Sequence, residues 1–174
     1  YTSELANDFG NLASRAIAMV EKYCDGKIPN IAHDEVLARS AASATKVADE
    51  RITALDFQSG ILAILDFCKA VNGYVTEKAP WVLAKDPAKK GELDHVLYAT
   101  CESLRILAVL FNPVMPETCA KLWHALGAEN LGELKNQKIG DVATWGQLRS
   151  GTSVQRGEVL FPRLPDNQSE EQNG

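Results

Sequence analysis

Apolar residues recur every three or four positions through most of this 174-residue chain, and prolines and glycines cut that pattern into helix-length pieces. The period is that of an α-helix with one face against a core. Leu5, Phe9, Leu12, Ala16, Met19 and Tyr23 make the first stripe, which Asp25-Gly26 and then Pro29 end. A second helix is expected from about Ala32 to Leu55, rich in alanine, so that a neighbour can pack closely. A third repeats Phe57, Ile61, Ile64, Cys68, Val71 and Val75 behind Asp56 as N-cap. It stops at Pro80, because the residue before proline avoids the helical region. The fourth uses Leu93, Leu97, Thr100, Leu104, Leu107 and Phe111 and is stopped by Pro113; the fifth runs from about Pro116 to Leu126 and ends at Gly127. Four or five antiparallel helices with short connections make an all-α helix bundle. Beyond Gly127 the period fades, and residues 129–150 read as a short helix and loops. Val159–Pro162 is a short extended apolar run, expected to dock on something, and residues 166–174 (DNQSEEQNG) are expected to be a disordered polar tail. Residues 1–165 then form one helical domain.

The net charge of −5 excludes one class of partner relationship. A protein that coats nucleic acid through its phosphates needs a basic face. A protein that reads a few bases locally does not, because local charge matters more than the sum. No apolar run is long enough for a membrane span, and no signal peptide is visible. Cys24, Cys68, Cys101 and Cys119 lie far apart with no CxxC pair. Reduced cysteines, a cytosolic protein and no structural zinc are expected. The chain opens on Tyr1 rather than methionine, as expected of a fragment or processed product.

The chemistry gathers around Pro80-Trp81, where the third helix stops. Upstream, Asn11 and Arg15 stand one helical turn apart on a polar face. A flat aromatic plane with an amide and a guanidinium suits stacking and reading splayed-out single-stranded bases. An amide offers donor and acceptor together, and arginine a planar donor fork that also stacks. Lys78, Lys85, Lys89 and Lys90 add positive charge nearby, suited to the phosphates of an adjoining stem. Each feature also has a plainer reading. Asn11 and Arg15 fit a solvated helix face with an Asp8–Arg15 or Asn11–Arg15 contact; Trp81 fits a tryptophan pinning a helix end to the core; the lysines fit ordinary surface charge.

Catalytic readings find no support. Glu92-Leu93-Asp94-His95 contains one E-x-x-H spacing, whereas a di-iron bundle needs two with two further glutamates. His95, between the core positions Leu93 and Leu97, is expected to point away from the core. His33 and His124 have no partner at ligand spacing, and neither a Gly-rich phosphate loop nor a Ser/His/Asp signature occurs. No catalytic residue and no metal site are expected.

Four stretches resemble methionyl-tRNA synthetases: Leu5–Arg15 (LANDFGNLASR) with Glu21–Pro29 (EKYCDGKIP) behind it, Asn72–Asp86 (NGYVTEKAPWVLAKD), Leu110–Gly127 (LFNPVMPETCAKLWHALG) and Gly157–Leu164 (GEVLFPRL). The N-P-x-x-P segment Asn112–Pro116 is also similar to the class I synthetases for valine, isoleucine and leucine. The resemblance implies a helix bundle of the class I synthetase anticodon-binding type with a short extended C-terminal segment, and recognition of a CAU anticodon. It maps a stacking tryptophan onto Trp81, approached as Pro80 sets it, an amide reader onto Asn11 and an arginine onto Arg15. Lys85 joins them through its charge. The resemblance also implies a catalytic Rossmann domain, expected N-terminal to residue 1, that uses ATP and methionine to charge initiator and elongator methionine tRNA. This piece alone is expected to be non-catalytic and without cofactor. The implied partners are the tRNA anticodon loop and the protein's own catalytic domain, with a cytoplasmic monomer the expected state. Two rivals stand beside this reading: the anticodon-binding domain of another class I synthetase, and a helical interaction module with no RNA role.

Overall fold

A computed structural model describes residues 2–155, with side chains described from Leu5 onward. Among the described residues seven α-helices follow one another: α1 (Thr2–Tyr23), α2 (Glu35–Thr53), α3 (Phe57–Lys78), α4 (Pro80–Leu83), α5 (Lys90–Phe111), α6 (Pro116–Ala125) and α7 (Ile139–Val142). Among the described residues an antiparallel bridge joins Lys27 to Ser153, no strand forms, and no helix is long and apolar enough to cross a membrane. The all-α bundle expected from the periodicity is the observed architecture. The extended run Val159–Pro162 and the polar tail at 166–174 lie outside the described residues.

Helix α5 is the axis. Every residue from Val96 to Phe111 is buried, so this helix is covered on all sides. Helices α1, α2, α3 and α6 all pack against it, with Phe9 meeting Phe111 edge to face at 5.2 Å. Helix α2 begins at Glu35 rather than near Ala32, because Asp34 is its N-cap and accepts a hydrogen bond from the Leu37 N–H at 3.0 Å. Asp56 caps α3 as expected, accepting from the Ser59 N–H.

The third helix stops before Pro80 as expected. Ala79, the residue before the proline, avoids the right-handed helical region by taking the left-handed one, at φ 47° and ψ 65°. There it closes α3, with its N–H on the Val75 carbonyl at 3.0 Å. Pro80 then opens α4 at its first position, where the missing N–H costs nothing. The chain thus turns a sharp elbow between two helices. A left-handed alanine costs about 1–3 kcal/mol, so the surrounding structure must over-determine it. The helix does not persist through residue 81, and Tyr74 and Trp81 do not share a helical face.

After α6, Gly127 takes φ +66°, and a Cβ there would lie 2.5 Å from Thr152 Cγ2 and 2.8 Å from the Ser153 oxygen. Only glycine fits under this crossing. The crossing residues belong to a return segment laid over the bundle's end: Ile28 N–H bonds the Thr152 carbonyl, Val154 N–H the Gly26 carbonyl and Gln155 N–H the Ala125 carbonyl, each at 2.8 Å.

Candidate nucleic-acid interface

The elbow and α1 bring two of the expected residues into contact. The Arg15 guanidinium lies over the Trp81 ring, 5.5 Å from its centroid. Trp81 occupies the second position of α4 and keeps 37% of its surface exposed, while Pro80 before it is buried and Leu83 after it packs on the core. The elbow therefore turns Pro80 and Leu83 inward, and leaves the indole and Val82 on the outer side. At 37% exposed, the indole is not enclosed by the core and keeps surface that a base can reach. A guanidinium–indole contact at such a site is worth about 0.5–1 kcal/mol, weak enough to be exchanged for another partner.

Asn11 stands one turn before Arg15 on the same face of α1 and is exposed. Among the described residues its carboxamide has no hydrogen-bond partner, and Arg15 forms no ion pair, so the Asp8–Arg15 contact of the plainer reading does not occur. Lys85, on the turn after α4, and Lys89 are exposed and make no ion pair among the described residues. Lys90 is different. Its ammonium is 2.8 Å from both the Tyr23 carbonyl and Asp94, and the Asp94 hydrogen bond raises its pKa. Lys90 ties α5 to the end of α1 and drops out of the charge available to a ligand.

Beneath the elbow lies a polar cluster that periodicity alone does not reveal. Tyr74 donates its hydroxyl to Asp34 Oδ2 at 2.8 Å, and His95 Nε2 lies 3.0 Å from the same oxygen. His95 is half-buried against Asp34 rather than pointing free of the bundle. Asp34 Oδ1 meanwhile caps α2. One carboxylate thus joins α2, α3 and α5. Burial pushes the Asp34 carboxyl up, but hydrogen bonds from Leu37 N–H, His95 and Tyr74 outweigh it and hold the group below its usual value. Burial, and then the Asp34 acceptor, push the Tyr74 phenol well above its usual range.

The Asp34 shift has a consequence for stability. A carboxyl with a depressed folded pKa contributes stability above its unfolded value near 3.8 and loses it as the pH falls through the folded value. Asparagine keeps the capping oxygen but removes the charge. Asp34→Asn is therefore expected to melt below wild type at neutral pH, with the gap closing below about pH 4; thermal unfolding across a pH series checks this.

The cysteines are free, and burial raises each: Cys24 to about 11, and Cys68, Cys101 and Cys119 to about 12. Among the described residues no group of His, Cys, Asp and Glu could hold a metal ion. The second group missed by sequence reading is Glu102 with Arg105, both fully buried on α5. The available signal was a charged pair three residues apart inside the apolar run of the fourth expected helix.

Residues 28–174 match the family model described as the anticodon binding domain of methionyl tRNA ligase. The chain is 51% identical to the methionine–tRNA ligase of Streptomyces coelicolor over 95% of its own length and 32% of that protein. It is 40% identical to that of Bacillus subtilis over 92% of its length and 24% of that protein. Among solved structures, the apo methionyl-tRNA synthetase of Mycobacterium tuberculosis superposes with a TM-score of 0.73 at 32% identity, covering 94% of this chain and 33% of that one. The same enzyme in complex with methionyl-adenylate gives 0.74 at 33% identity, covering 91% and 31%. The chain spans about a quarter to a third of the length of these relatives.

Proposed function

We propose, for a chain that belongs to the family of methionyl-tRNA ligase anticodon-binding domains, that it reads the CAU anticodon of methionine tRNAs, initiator and elongator, at Trp81, Arg15 and Asn11. The observation that carries this reading is the Arg15–Trp81 stack at 5.5 Å, with the exposed Asn11 amide, unpartnered among the described residues, one turn away. An unstacked base lies on the exposed indole. Arg15, in contact with the ring, turns its donors to a base edge, and Asn11 offers a donor and an acceptor to another. A wrong base leaves these groups unpaired, which costs more than a lost apolar contact. Pro80 sets the angle at which the indole meets the base, and Lys85 attracts the loop's phosphates.

The proposal extends to the whole protein. The relatives are methionine–tRNA ligases, and one is described in complex with methionyl-adenylate. In the whole protein this domain works beside a catalytic domain that uses ATP and methionine, in the cytoplasm and as a monomer. Anticodon reading remote from that chemistry acts by positioning the tRNA's acceptor end. Membership in the methionyl family displaces the valine, isoleucine and leucine alternatives and the interaction module without an RNA role.

The test is binding of a stem-loop carrying CAU beside loops with one changed anticodon base. Tighter binding to CAU supports the reading; equal binding to all loops leaves phosphate attraction alone and sinks it. Lys85→Ala separates the two contributions. It is expected to weaken all loops alike, by about twofold to fivefold at low salt, and to lower the salt dependence by about one phosphate contact.

A further inference from the structure

The left-handed backbone of Ala79 and the outward Trp81 need something to hold them; Pro80 and Leu83 pack inward, but one flank of the elbow is open. On one flank Arg15 covers the indole. On another, a cleft of about 430 Å³ opens, lined by Asp34, Tyr74, Lys78, Leu83, Glu92 and His95. Lys78 and Leu83 bracket the elbow in sequence, so the elbow is not packed shut where they line this cleft.

The hydrogen bonds at the cleft's floor supply what packing does not. Tyr74 adjoins Val75, whose carbonyl accepts the Ala79 N–H. Fixing Tyr74 therefore fixes the acceptor that closes the elbow. Tyr74 is itself tied to Asp34, which is 8% exposed and bonded to the first turn of α2, and Asp34 is tied in turn to His95 on α5. A carboxylate oxygen only accepts, so His95 donates through Nε2 and leaves Nδ1 free of this bond.

We propose that Tyr74, Asp34 and His95 are positioning residues for anticodon recognition: their network fixes the end of α3 against α2 and α5, so that the elbow presents Trp81 preorganised for a base. This rests on Trp81 being the stacking platform. Preorganised geometry lowers the ordering cost of binding, so loosening it weakens stacking without removing any contact to RNA.

Tyr74→Phe removes one oxygen and leaves the ring in place. It is expected to weaken CAU stem-loop binding by about fivefold to tenfold, with less than about twofold effect on a loop bearing a changed anticodon. The 174-residue chain carries three tryptophans, Trp81, Trp123 and Trp145. With 5-fluorotryptophan in place of each, Trp81→Phe identifies the position-81 fluorine resonance. In Tyr74→Phe that resonance is expected to shift and broaden while the other two hold. His95→Ala should behave alike, and His95→Gln, which keeps a donor, should stay closer to wild type. Unchanged CAU affinity together with an unchanged position-81 resonance in Tyr74→Phe overturns the proposal and leaves the network a purely structural bond. Wild type binding every loop equally would bring down the anticodon reading instead. The fluorine resonance would then still decide whether the network positions Trp81, an unmoved signal overturning that too.

Discussion

Replacing Trp81 by alanine is expected to weaken binding of a CAU stem-loop by about tenfold to a hundredfold while leaving the fold almost untouched. Base–aromatic stacking is worth about 1–3 kcal/mol per base, and this variant removes the platform. The stability effect is small for the opposite reason. Trp81 is 37% exposed, and its cation–π contact with the Arg15 guanidinium is worth about 0.5–1 kcal/mol. Discrimination should fall along with affinity, because the remaining lysine contacts attract every loop equally. Trp81→Phe, which keeps a smaller ring, is expected to lie between. Fluorescence titration of labelled loops, paired with thermal unfolding of each variant, separates the two effects. A Trp81→Ala protein that binds the CAU loop as tightly as wild type would refute the stacking platform. A large loss of stability would instead make Trp81 a packing residue, against its exposure.

What the sequence disclosed and what it hid divide along physical lines. The helices were legible because the apolar stripes of α1, α3 and α5 repeat over 22 residues each, and long periodic signals average out local noise. Ends marked by side-chain caps were legible too, as at Asp56. The elbow was only half legible. Pro80 announces a break, but whether the residue before it goes extended or left-handed depends on what α4 packs against, and that is tertiary information. Trp81 and Arg15 were nameable from residue type, yet their contact joins positions 66 residues apart through the packing of α1 beside the elbow. The polar networks were hidden for the same reason. Asp34, Tyr74 and His95 look like a cap, a core aromatic and a surface histidine until the bundle brings them to one carboxylate. Periodicity reports which face is buried, and it is silent about which polar group a buried face was built around.

Breaking the buried pair on α5 is expected to cost more than any substitution at the interface. Glu102 and Arg105 have side chains 0% and 1% exposed and meet through two hydrogen bonds, Nη2 to Oε1 at 2.8 Å and Nε to Oε2 at 3.0 Å. Their remaining capacity is spent on the return segment. Glu102 accepts from the backbone N–H groups of Gly146, Gln147 and Leu148 at 2.9–3.0 Å, and Arg105 donates to the Val142 and Thr144 carbonyls. The pair is thus the joint by which residues 142–148 are fastened to the central helix. That segment in turn holds the Ala32 carbonyl through the Trp145 indole N–H, two residues before Asp34. Removing one partner strands a buried charge, which costs about 3–5 kcal/mol against a total stability of about 5–15 kcal/mol. Glu102→Leu and Arg105→Met should each lower the urea midpoint steeply, and the CAU loop should bind more weakly as the support beneath the elbow loosens. The double variant distinguishes a joint from a simple ion pair. Replacing both members of an isolated buried pair by apolar side chains is often neutral or stabilising. Here it would still orphan three amides and two carbonyls that the pair satisfies, each unsatisfied group costing about 1–3 kcal/mol. Glu102→Leu with Arg105→Met is therefore expected to recover little of the lost stability. A double variant that unfolds at the wild-type urea midpoint would mean that residues 142–148 hold their place without the pair.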